Sequence, residues 1–358
     1  MSRKLFVIAP ALILIFPGSL VAQSASLPLE NEVLEWLAEF RAPGALIAVI
    51  PPEGDPLLHA YGFADAEKTE EMTLSHRVRI GSVSKLFAGY LALLMESEGI
   101  VNLNETIDQY LEGVPGGEGI SLEDLGRHSP GLPGAIRNPK FRAEIVADPS
   151  RLWTTKEILS FAFEQPSSGQ WRYSNTHTIL LGEALSSTAG KDWSSLLQER
   201  ISEPLGMTSL CVDAGEGNAL PFARGYRHSS GENPIGYGRE FLDVSRFNAS
   251  IFGCAGNLTA TLEDLAASAP VLLNERGSLL KRAAPWIEWE GGEYGFCLER
   301  WDGFVGHRGD VPGFQAVMAR DANSGVCFVV VCNLSNSEDG RMPANEILSR
   351  VRLVLGRP

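Results

Sequence analysis

A serine and a lysine stand three residues apart at the start of a segment that is predicted to form a strong helix. Ser82 and Lys85 open the helix predicted over 82–98, and the spacing i, i+3 places their side chains on one helix face, from which Ser84 is turned away. A lysine amine beside a serine hydroxyl can take up the hydroxyl proton, and a helix N-terminus favours the negative charge that develops on the oxygen. A serine cap followed by a surface lysine produces the same spacing, so this pair alone is a weak indication of nucleophilic catalysis.

A tyrosine and an asparagine form a second candidate group. Tyr173 and Asn175 stand at the start of the helix predicted over 175–188. A phenol beside a lysine ammonium is expected to ionise more easily and to pass a proton, and the asparagine amide is suited to orienting a substrate amide. A tyrosine in front of a helix more often only packs and makes one hydrogen bond, so this group is also weak by itself.

The third candidate group follows the strand predicted over 304–306 and consists of His307, Arg308, Gly309 and Asp310. A glycine in this position would let the backbone of a substrate approach the strand edge. The backbone N–H of Asp310, together with that of the candidate nucleophile, could form an oxyanion hole. The alternative is a histidine on a strand edge with no catalytic role.

Taken together, the three groups resemble the three-part signature of the penicillin-recognising serine enzymes. The family that this chain resembles includes the class C β-lactamases, the DD-carboxypeptidases and esterase-like members, and the resemblance covers roughly residues 29 to 333. In this family His128 is implied to be structural rather than catalytic. Four further stretches are similar to the family, at 101–111, 120–133, 203–207 and 255–258.

The resemblance implies a covalent mechanism in which Ser82 attacks a carbonyl carbon and forms an acyl-enzyme. It implies that Lys85 and Tyr173 share the general-base and general-acid duties. The six histidines are scattered along the sequence, so no metal site is expected, and no cofactor is expected either. The substrate-binding residues that the resemblance implies are Asn175, His307, Arg308, Gly309 and Asp310.

The positions that depart from the family pattern concern the recognition of a substrate carboxylate. His307 stands where the β-lactamases of the family have a lysine, so the chain resembles the soluble DD-carboxypeptidases more closely, and a histidine carries less positive charge at neutral pH. Arg308 and Asp310 replace residues that usually carry hydroxyl groups. Glu299 stands where a DD-carboxypeptidase-like site has an arginine, and its neighbour Arg300 points to the opposite strand face. Two roles stay open for Arg308, which could bind a substrate carboxylate or pair with Asp310 and Glu299.

The sequence therefore predicts a secreted serine acyl-hydrolase that is D-alanyl-D-alanine carboxypeptidase-like or acts on a small ester or amide. One alternative is a class C-like β-lactamase. Another is a catalytically silent family member that only binds penicillin or a peptide, against which the joint presence of Ser82, Lys85, Tyr173 and Asn175 argues. The sequence has no G-x-S-x-G elbow, no H-E-x-x-H motif and no glycine-rich phosphate loop, which would indicate other chemistries.

The elements that must position these groups come from both ends of the chain. An amphipathic helix over 31–40 precedes two apolar runs, 45–50 and 57–63, whose separation by prolines and a glycine predicts a β-hairpin. Further predicted elements are helices over 82–98, 155–164, 175–188, 193–201, 262–273 and 344–355, and strands over 295–301, 304–306, 314–320 and 326–333.

These elements fit a single α/β catalytic domain over 23–358, of the multi-subdomain β-lactamase/transpeptidase-like type. Strands from both chain ends combine into one antiparallel sheet flanked by helices, and this α/β subdomain covers about 29–80 and 285–358. Residues from about 81 to 284 form a mainly helical subdomain. A cleft between the two subdomains is the expected place for the site.

The charge of the chain bears on its partners. The 358 residues contain 30 Lys+Arg against 44 Asp+Glu, for a net charge of −14. Such an acidic chain binds phosphate backbones and anionic membranes poorly, so the expected partner is a small-molecule or peptide substrate and not a nucleic acid. The local charge of the cleft is expected to be less negative than the net charge of the protein, since the cleft would contain Lys85, His307 and Arg308.

Residues 1–22 have the features of a secretory signal. Arg3 and Lys4 precede an apolar stretch over 5–16, and small residues at 22–25 offer a cleavage site. The apolar stretch is too short to span a membrane comfortably. We therefore expect cleavage, a mature net charge of −16, a secreted or periplasmic location and no stable membrane span.

An oxidising compartment permits disulfides, but the five cysteines leave at least one thiol free. Cys211 and Cys254 are the pair considered for a bridge. No cysteine stands at a metal-ligand spacing, and the sequence does not specify an oligomeric state.

Overall fold

The computed structural model describes residues 29–213, 221–231, 233–289 and 291–356. The predicted signal segment, residues 1–22, and its cleavage site at 22–25 lie outside the described residues. Among the residues that are described, no helix is both long enough and apolar enough to cross a membrane.

The chain begins with a helix and a hairpin, continues through a long helical region, and ends with a run of strands and a final helix. The helices are α1 Glu30–Phe40, α2 Ser84–Ser97, α3 Leu122–Arg127, α4 Pro139–Ala147, α5 Thr155–Phe163, α6 Asn175–Ala189, α7 Trp193–Leu197, α8 Glu203–Leu205, α9 Leu262–Leu272, α10 Ser278–Arg282 and α11 Pro343–Leu355. The strands are β1 Gly44–Ile50, β2 Leu57–Gly62, β3 Val78–Arg79, β4 Cys211–Val212, β5 Tyr226–Ser229, β6 Glu240–Asp243, β7 Leu258–Ala260, β8 Ile287–Trp289, β9 Gly292–Tyr294, β10 Glu299–Trp301, β11 Phe304–Val311, β12 Phe314–Asp321 and β13 Cys327–Cys332.

One antiparallel sheet combines the two ends of the chain. Its strand order is β2-β1-β13-β12-β11-β10-β9-β8, so the N-terminal hairpin lies directly beside the last strand. Leu46 of β1 pairs with Val331 of β13, and Ile47 pairs with Val330. The prediction of a single antiparallel sheet built from both chain ends and flanked by helices is confirmed.

Alternate side chains of the central strands face two separate apolar layers, as the two-residue period of a strand requires. Ile47 belongs to an outer layer with Phe40 of α1 and Ile347 of α11. Leu46 belongs to an inner layer with Phe87 of α2. Because helices cover both faces, every residue of β1 is buried. Each large apolar side chain buried in this way contributes about 1.5–3 kcal/mol, so the inner layer holds α2 firmly against the sheet.

Helix α2 lies at the centre of the helical region, where it contacts α6, α9 and α10. The middle of the chain is mainly helical, as predicted, although β3, β7 and β4 also form a small three-stranded sheet there. The helix predicted over 193–201 is α-helical only to Leu197 and continues as a π-helical turn, Gln198–Ser202.

Two strands near the candidate site have bounds that differ from the prediction. The strand predicted over 295–301 begins only at Glu299, because Cys297 adopts φ +53°, a left-handed conformation that interrupts a strand. The strand predicted over 304–306 extends to Val311, so the residues that were expected to follow it belong to β11 itself.

The disulfide considered between Cys211 and Cys254 is wrong, because both thiols are free. Cys211 lies in β4 beside the Thr259 hydroxyl, 3.4 Å away. Cys254 donates a hydrogen bond to the Thr178 carbonyl at 3.2 Å. The two sulfur atoms thus have separate polar neighbours, and the other three cysteines are also free.

Candidate active site

A short 3₁₀ turn, Gly81–Val83, carries the candidate nucleophile between β3 and α2. Gly81 adopts φ +52°, a conformation that glycine tolerates without steric cost. The Ser82 Oγ lies 2.9 Å from the Lys85 Nζ, so the predicted placement on one face is confirmed. Ser84 points away, as predicted, and its Oγ accepts a hydrogen bond from a backbone N–H of β7.

Lys85 is fully buried and has three polar partners. Besides contacting the Ser82 Oγ, its Nζ donates to the Asn175 Oδ1 at 2.7 Å and to the Ala255 carbonyl at 3.0 Å. Burial lowers the pKa of Lys85 to about 7, although the Glu299 carboxylate acts in the opposite direction. A neutral amine has two N–H donors and one lone pair. Since the amide oxygen and the carbonyl oxygen can only accept, they occupy both N–H bonds and leave the lone pair for the serine hydroxyl.

Tyr173 lies beside this pair, with its ring centroid 4.9 Å from the lysine Nζ. Its phenol hydrogen-bonds Ser82. Its ring stacks on Trp289 at a centroid distance of 5.3 Å and meets the edge of Tyr294 at 5.5 Å. Burial, reinforced by the Glu299 carboxylate, raises the pKa of Tyr173 above its ordinary value. The expectation that this phenol ionises easily is therefore wrong, because aromatic packing removes the water that would stabilise a phenolate.

Strand β11 runs along the nucleophile turn. β10 pairs with β11 only as far as Gly306, so the backbone beyond that residue is not bonded to β10. A side chain at Gly309 would place its Cβ 2.1 Å from the Ile80 carbonyl oxygen, so glycine is needed for the turn itself to approach the strand. The Asp310 nitrogen lies 3.1 Å from the position of a Cβ on Gly81. Its N–H is therefore next to the nucleophile turn, as an oxyanion hole requires.

His307 is fully buried on this strand. Its Nδ1 lies 2.7 Å from the Arg308 carbonyl oxygen, which can only accept, so Nδ1 carries the proton. Its Nε2 is then the acceptor for the Tyr294 hydroxyl, 3.5 Å away. Burial lowers the pKa of His307 to about 4, although Glu299 acts in the opposite direction. His307 is therefore neutral at physiological pH and does not supply the positive charge of a lysine.

The structure shows which groups of the chain pair with Arg308. Its Nε donates to the Glu299 Oε2 at 2.7 Å and its Nη2 donates to the Gly291 carbonyl at 2.9 Å. Arg300 points away from the site, as predicted, and forms a bidentate pair with Glu293 at 2.7 and 2.6 Å. Arg308 is thus paired with Glu299, as one of the two hypotheses held, but without Asp310 as a partner.

Asp310 is only partly paired. Its Oδ2 accepts a hydrogen bond from the Tyr237 hydroxyl at 3.4 Å, whereas its Oδ1 has no hydrogen-bond partner among the residues that the structure describes. Burial raises the pKa of Asp310 to about 6, against the attraction of Arg227. At neutral pH it is therefore a carboxylate. The local positive charge expected of the cleft is not found at His307, which is neutral, or at Arg308, which is paired.

Several residues that complete the site were not predicted. Trp289 and Tyr294 come from β8 and β9, two short strands with no clear signal in the sequence. Tyr237 comes from the connection between β5 and β6. Ala255 belongs to the family-like stretch 255–258, which was recognised without a role, and this stretch was the signal that could have found it.

His128, expected to be structural, supports the segment that carries the tyrosine. Its buried ring accepts a hydrogen bond at Nδ1 from the backbone N–H of Ser174, 3.0 Å away. Burial lowers the pKa of His128 well below its usual value, so the ring is a neutral acceptor. Within the described part of the chain, no cluster of His, Cys, Asp and Glu side chains is arranged to hold a metal ion.

The similarity of this chain to known proteins covers more of the sequence than the three motifs. The sequence model of the family described as Beta-lactamase matches residues 33–351. The Penicillin-binding protein 4* of Bacillus subtilis (strain 168) is 26% identical over 46% of this chain. The D-alanyl-D-alanine-carboxypeptidase/endopeptidase AmpH of Escherichia coli (strain K12) is 30% identical over 42% of this chain. The matches cover 37% and 40% of these two proteins, so the chain spans well under two thirds of their length.

Among solved structures, the D-amino acid amidase from Ochrobactrum anthropi SV3, in complex with L-phenylalanine, has a TM-score of 0.78 and 26% identity to this chain. The similarity covers 91% of this chain and 98% of the amidase. It therefore includes the sheet and the helical region together, and it agrees with the fold type that the sequence predicted.

Proposed function

Because the chain belongs to the beta-lactamase family, whose members are serine hydrolases, we propose that it is a serine acyl-hydrolase that forms an acyl-enzyme on Ser82. The observation that carries this proposal is the contact of 2.9 Å between the Ser82 Oγ and the Lys85 Nζ. The lysine is buried, its pKa is lowered to about 7, and acceptors occupy its two N–H bonds. Its lone pair is therefore available to the serine hydroxyl.

In the proposed acylation step, the Ser82 oxygen bonds to the substrate carbonyl carbon while its proton moves to the Nζ of Lys85. The carbonyl oxygen becomes an oxyanion and accepts hydrogen bonds from the backbone N–H groups of Ser82 and Asp310. Tyr173, a protonated phenol, gives its proton to the leaving group as that bond breaks, and recovers a proton from the lysine ammonium. Water then attacks the acyl-enzyme, with the neutral lysine again as the base.

The substrate that we propose is an amide or ester of a D-amino acid. The similarity to a D-amino acid amidase over nearly the whole of both chains supports this choice. The pairing of Arg308 with Glu299 also supports it, because this pairing engages a cation that the terminal carboxylate of D-alanyl-D-alanine would need. The alternative, a D-alanyl-D-alanine carboxypeptidase, has the support of a relative that the chain matches over 40% of its length.

We propose in addition that the protein is exported to the periplasm or secreted. The support is the arrangement of residues 1–22, where two cationic residues precede a short apolar stretch and small residues follow. Expression of the full chain with fractionation and N-terminal sequencing tests this proposal. Export with a new N-terminus between residues 22 and 26 is expected, and retention of the intact N-terminus in the cytoplasm would contradict it.

The acyl-enzyme is tested with a fluorescent penicillin and a fluorophosphonate. The wild type should be labelled by at least one probe, Ser82→Ala should be labelled by neither, and the adduct should map to the peptide that contains Ser82. Ser97→Ala is the matched control, because Ser97 is exposed at the far end of the same helix, where its hydroxyl donates to the Leu94 carbonyl. Absence of labelling in folded wild type would overturn the proposal.

The substrate class is tested with a hydrolysis panel on the wild type. The panel contains D- and L-amino acid amides, short-chain p-nitrophenyl esters, a D-alanyl-D-alanine peptide and nitrocefin. Preferred turnover of D-amino acid amides or esters is expected. Faster turnover of the D-alanyl-D-alanine peptide or of nitrocefin would instead assign a carboxypeptidase or a β-lactamase.

A further inference from the structure

We propose that Asp310 selects substrates by the charge of the leaving group, admitting neutral or cationic leaving groups and rejecting those that carry a carboxylate beside the scissile bond. This inference rests on the proposed acyl-hydrolase function and adds the chemical class that the site accepts. It assigns a role to a side chain that the reaction steps themselves do not use.

The backbone position of Asp310 limits how far its carboxylate can lie from a reacting substrate. Its backbone nitrogen lies against Gly81, the residue before the nucleophile. Four bonds separate that nitrogen from the carboxylate oxygens, so they lie within about 5 Å of each other. A substrate whose carbonyl oxygen is bound by the Asp310 N–H therefore places its leaving group within reach of the Asp310 carboxylate.

A carboxylate on the first carbon of a leaving amino acid lies within about 5 Å of the scissile carbonyl carbon, again because four bonds connect them. The hydrogen bond from the Asp310 N–H to the carbonyl oxygen adds about 4 Å to these two spans, so the two carboxylates lie at most about 14 Å apart. A separation of about 10 Å falls within this limit and equals the Debye length in 0.1 M salt. In a partly buried cleft, screening over this distance is weak. Two unit charges about 10 Å apart at an effective dielectric constant of about 25 alter binding about ten-fold.

Two of the cations that could compensate this repulsion are paired with other carboxylates. Arg308 is held by Glu299 at 2.7 Å, and Arg300 is held by Glu293. Arg227 is buried, donates its Nε to the Gly236 carbonyl at 2.6 Å and lies over the ring of Tyr237 at 4.4 Å. Arg227 lowers the pKa of Asp310 by attraction, but the burial of the carboxyl group raises that pKa by more.

The hydrogen bonding of Asp310 indicates which leaving groups its carboxylate favours over a carboxylate. One oxygen accepts from the Tyr237 hydroxyl, and the other has no partner among the described residues. A carboxylate with so few donors keeps its negative charge, which attracts a leaving group that carries an N–H or an ammonium group. A carboxamide leaving group offers such a donor, whereas a carboxylate offers only acceptors.

Two substrates of the same shape isolate the charge. N-acetyl-D-alanyl-D-alanine and N-acetyl-D-alanyl-D-alaninamide differ only in a terminal carboxylate or carboxamide. The wild type is expected to hydrolyse the internal bond of the amide with a kcat/KM at least ten-fold higher. The esters of N-acetyl-D-alanine with glycolate and with glycolamide form a second pair. Their carboxylate or carboxamide also stands four bonds from the scissile carbonyl carbon, and an ester makes acylation easier to measure.

Asp310→Asn removes the charge and keeps the shape, so the ratio of the two kcat/KM values should fall about ten-fold, mainly because hydrolysis of the carboxylate substrate improves. Asp310→Ser is a second variant in case the first does not fold. Asp302→Asn is the control for net charge, because Asp302 is exposed in the turn between β10 and β11. It should leave the ratio unchanged.

An unchanged ratio in folded Asp310→Asn or Asp310→Ser, or a wild type that hydrolyses both members of each pair equally, would overturn the charge selection while leaving the acyl-hydrolase intact. Failure of the wild type to label at Ser82 would refute the proposed function itself. The two failures are therefore distinguishable, because labelling by a fluorophosphonate does not involve a leaving group with a carboxylate.

Discussion

Replacing Lys85 with methionine removes the candidate base and keeps an unbranched side chain in the buried site. An ordinary lysine with a pKa of 10.5 is neutral in about one molecule in 3,000 at pH 7, whereas a lysine with a pKa of about 7 is neutral in about half of the molecules. Burial thus raises the fraction of enzyme with a working base by about a thousand-fold. Loss of a general base typically lowers the rate by about 10²–10⁴-fold, which is the loss expected for Lys85→Met.

The pH dependence of kcat/KM for an uncharged N-acyl ester provides the sharper assay. Because only the neutral lysine accepts the serine proton, kcat/KM should rise about ten-fold per pH unit below pH 7 and level off above it. The same profile measured on Asp310→Asn separates this titration from that of Asp310, whose pKa is raised to about 6. A profile that is flat across pH 7 or still rising beyond pH 9 would refute the assignment of Lys85 as the base for Ser82. Activity of Lys85→Met within about three-fold of the wild type would refute it equally.

Four further outcomes are expected. The pKa of Lys85 is lower in the folded than in the unfolded protein, so the unfolded state binds more protons between pH 7 and 10.5. The free energy of unfolding of the wild type, relative to that of Lys85→Met, should therefore rise by about 2 kcal/mol from pH 7 to pH 9. Denaturant titrations of both proteins at the two pH values measure this difference. Tyr173→Phe should lower amide turnover strongly but spare fluorophosphonate labelling, since fluoride leaves without a proton; equal losses would argue against a proton-donor role. His307→Ala should reduce kcat/KM less than Lys85→Met does, and complete loss of acylation would make His307 catalytic. Gly309→Ala should cost about 1–3 kcal/mol of stability and most activity, because its Cβ would lie 2.1 Å from the Ile80 carbonyl oxygen; a fully active variant with an unchanged Tm would show that the turn does not need this close contact.

Much of the architecture was predictable because it depends on local patterns. Alternating and continuous apolar runs predicted the hairpin of β1 and β2 and the strands of the C-terminal region, and their positions at opposite chain ends predicted a shared sheet. The bounds of β10 and β11 were wrong where a special backbone conformation or a close packing contact decides the strand. The positive φ of Cys297 shortens β10, and the contact of Gly309 with the nucleophile turn belongs to a strand that was expected to end at Gly306.

The sequence predicted which residues form the candidate site better than it predicted their protonation states and ion-pair partners. The four groups Ser82, Lys85, Tyr173 and Asn175 are brought together as their motifs suggested. The protonation state of Tyr173 was not predictable, because its pKa depends on the stacked Trp289 ring and on surrounding residues that are far away in the sequence. The partner of Arg308 was equally open, since several carboxylates stood within reach along neighbouring strands.

The sequence by itself determined which side chains could share a helix face, which segments must bury an apolar stripe and where the chain could form strands. These properties depend on the spacing of neighbouring residues, which is written directly in the chain. Only the tertiary structure decided that burial lowers the pKa of Lys85 and that Arg308 is paired with Glu299. It also decided that one oxygen of Asp310 has no donor among the residues that the structure describes. Those properties depend on burial and on charges contributed by distant segments, and the free energy of a charge changes more with its surroundings than with its position in the sequence.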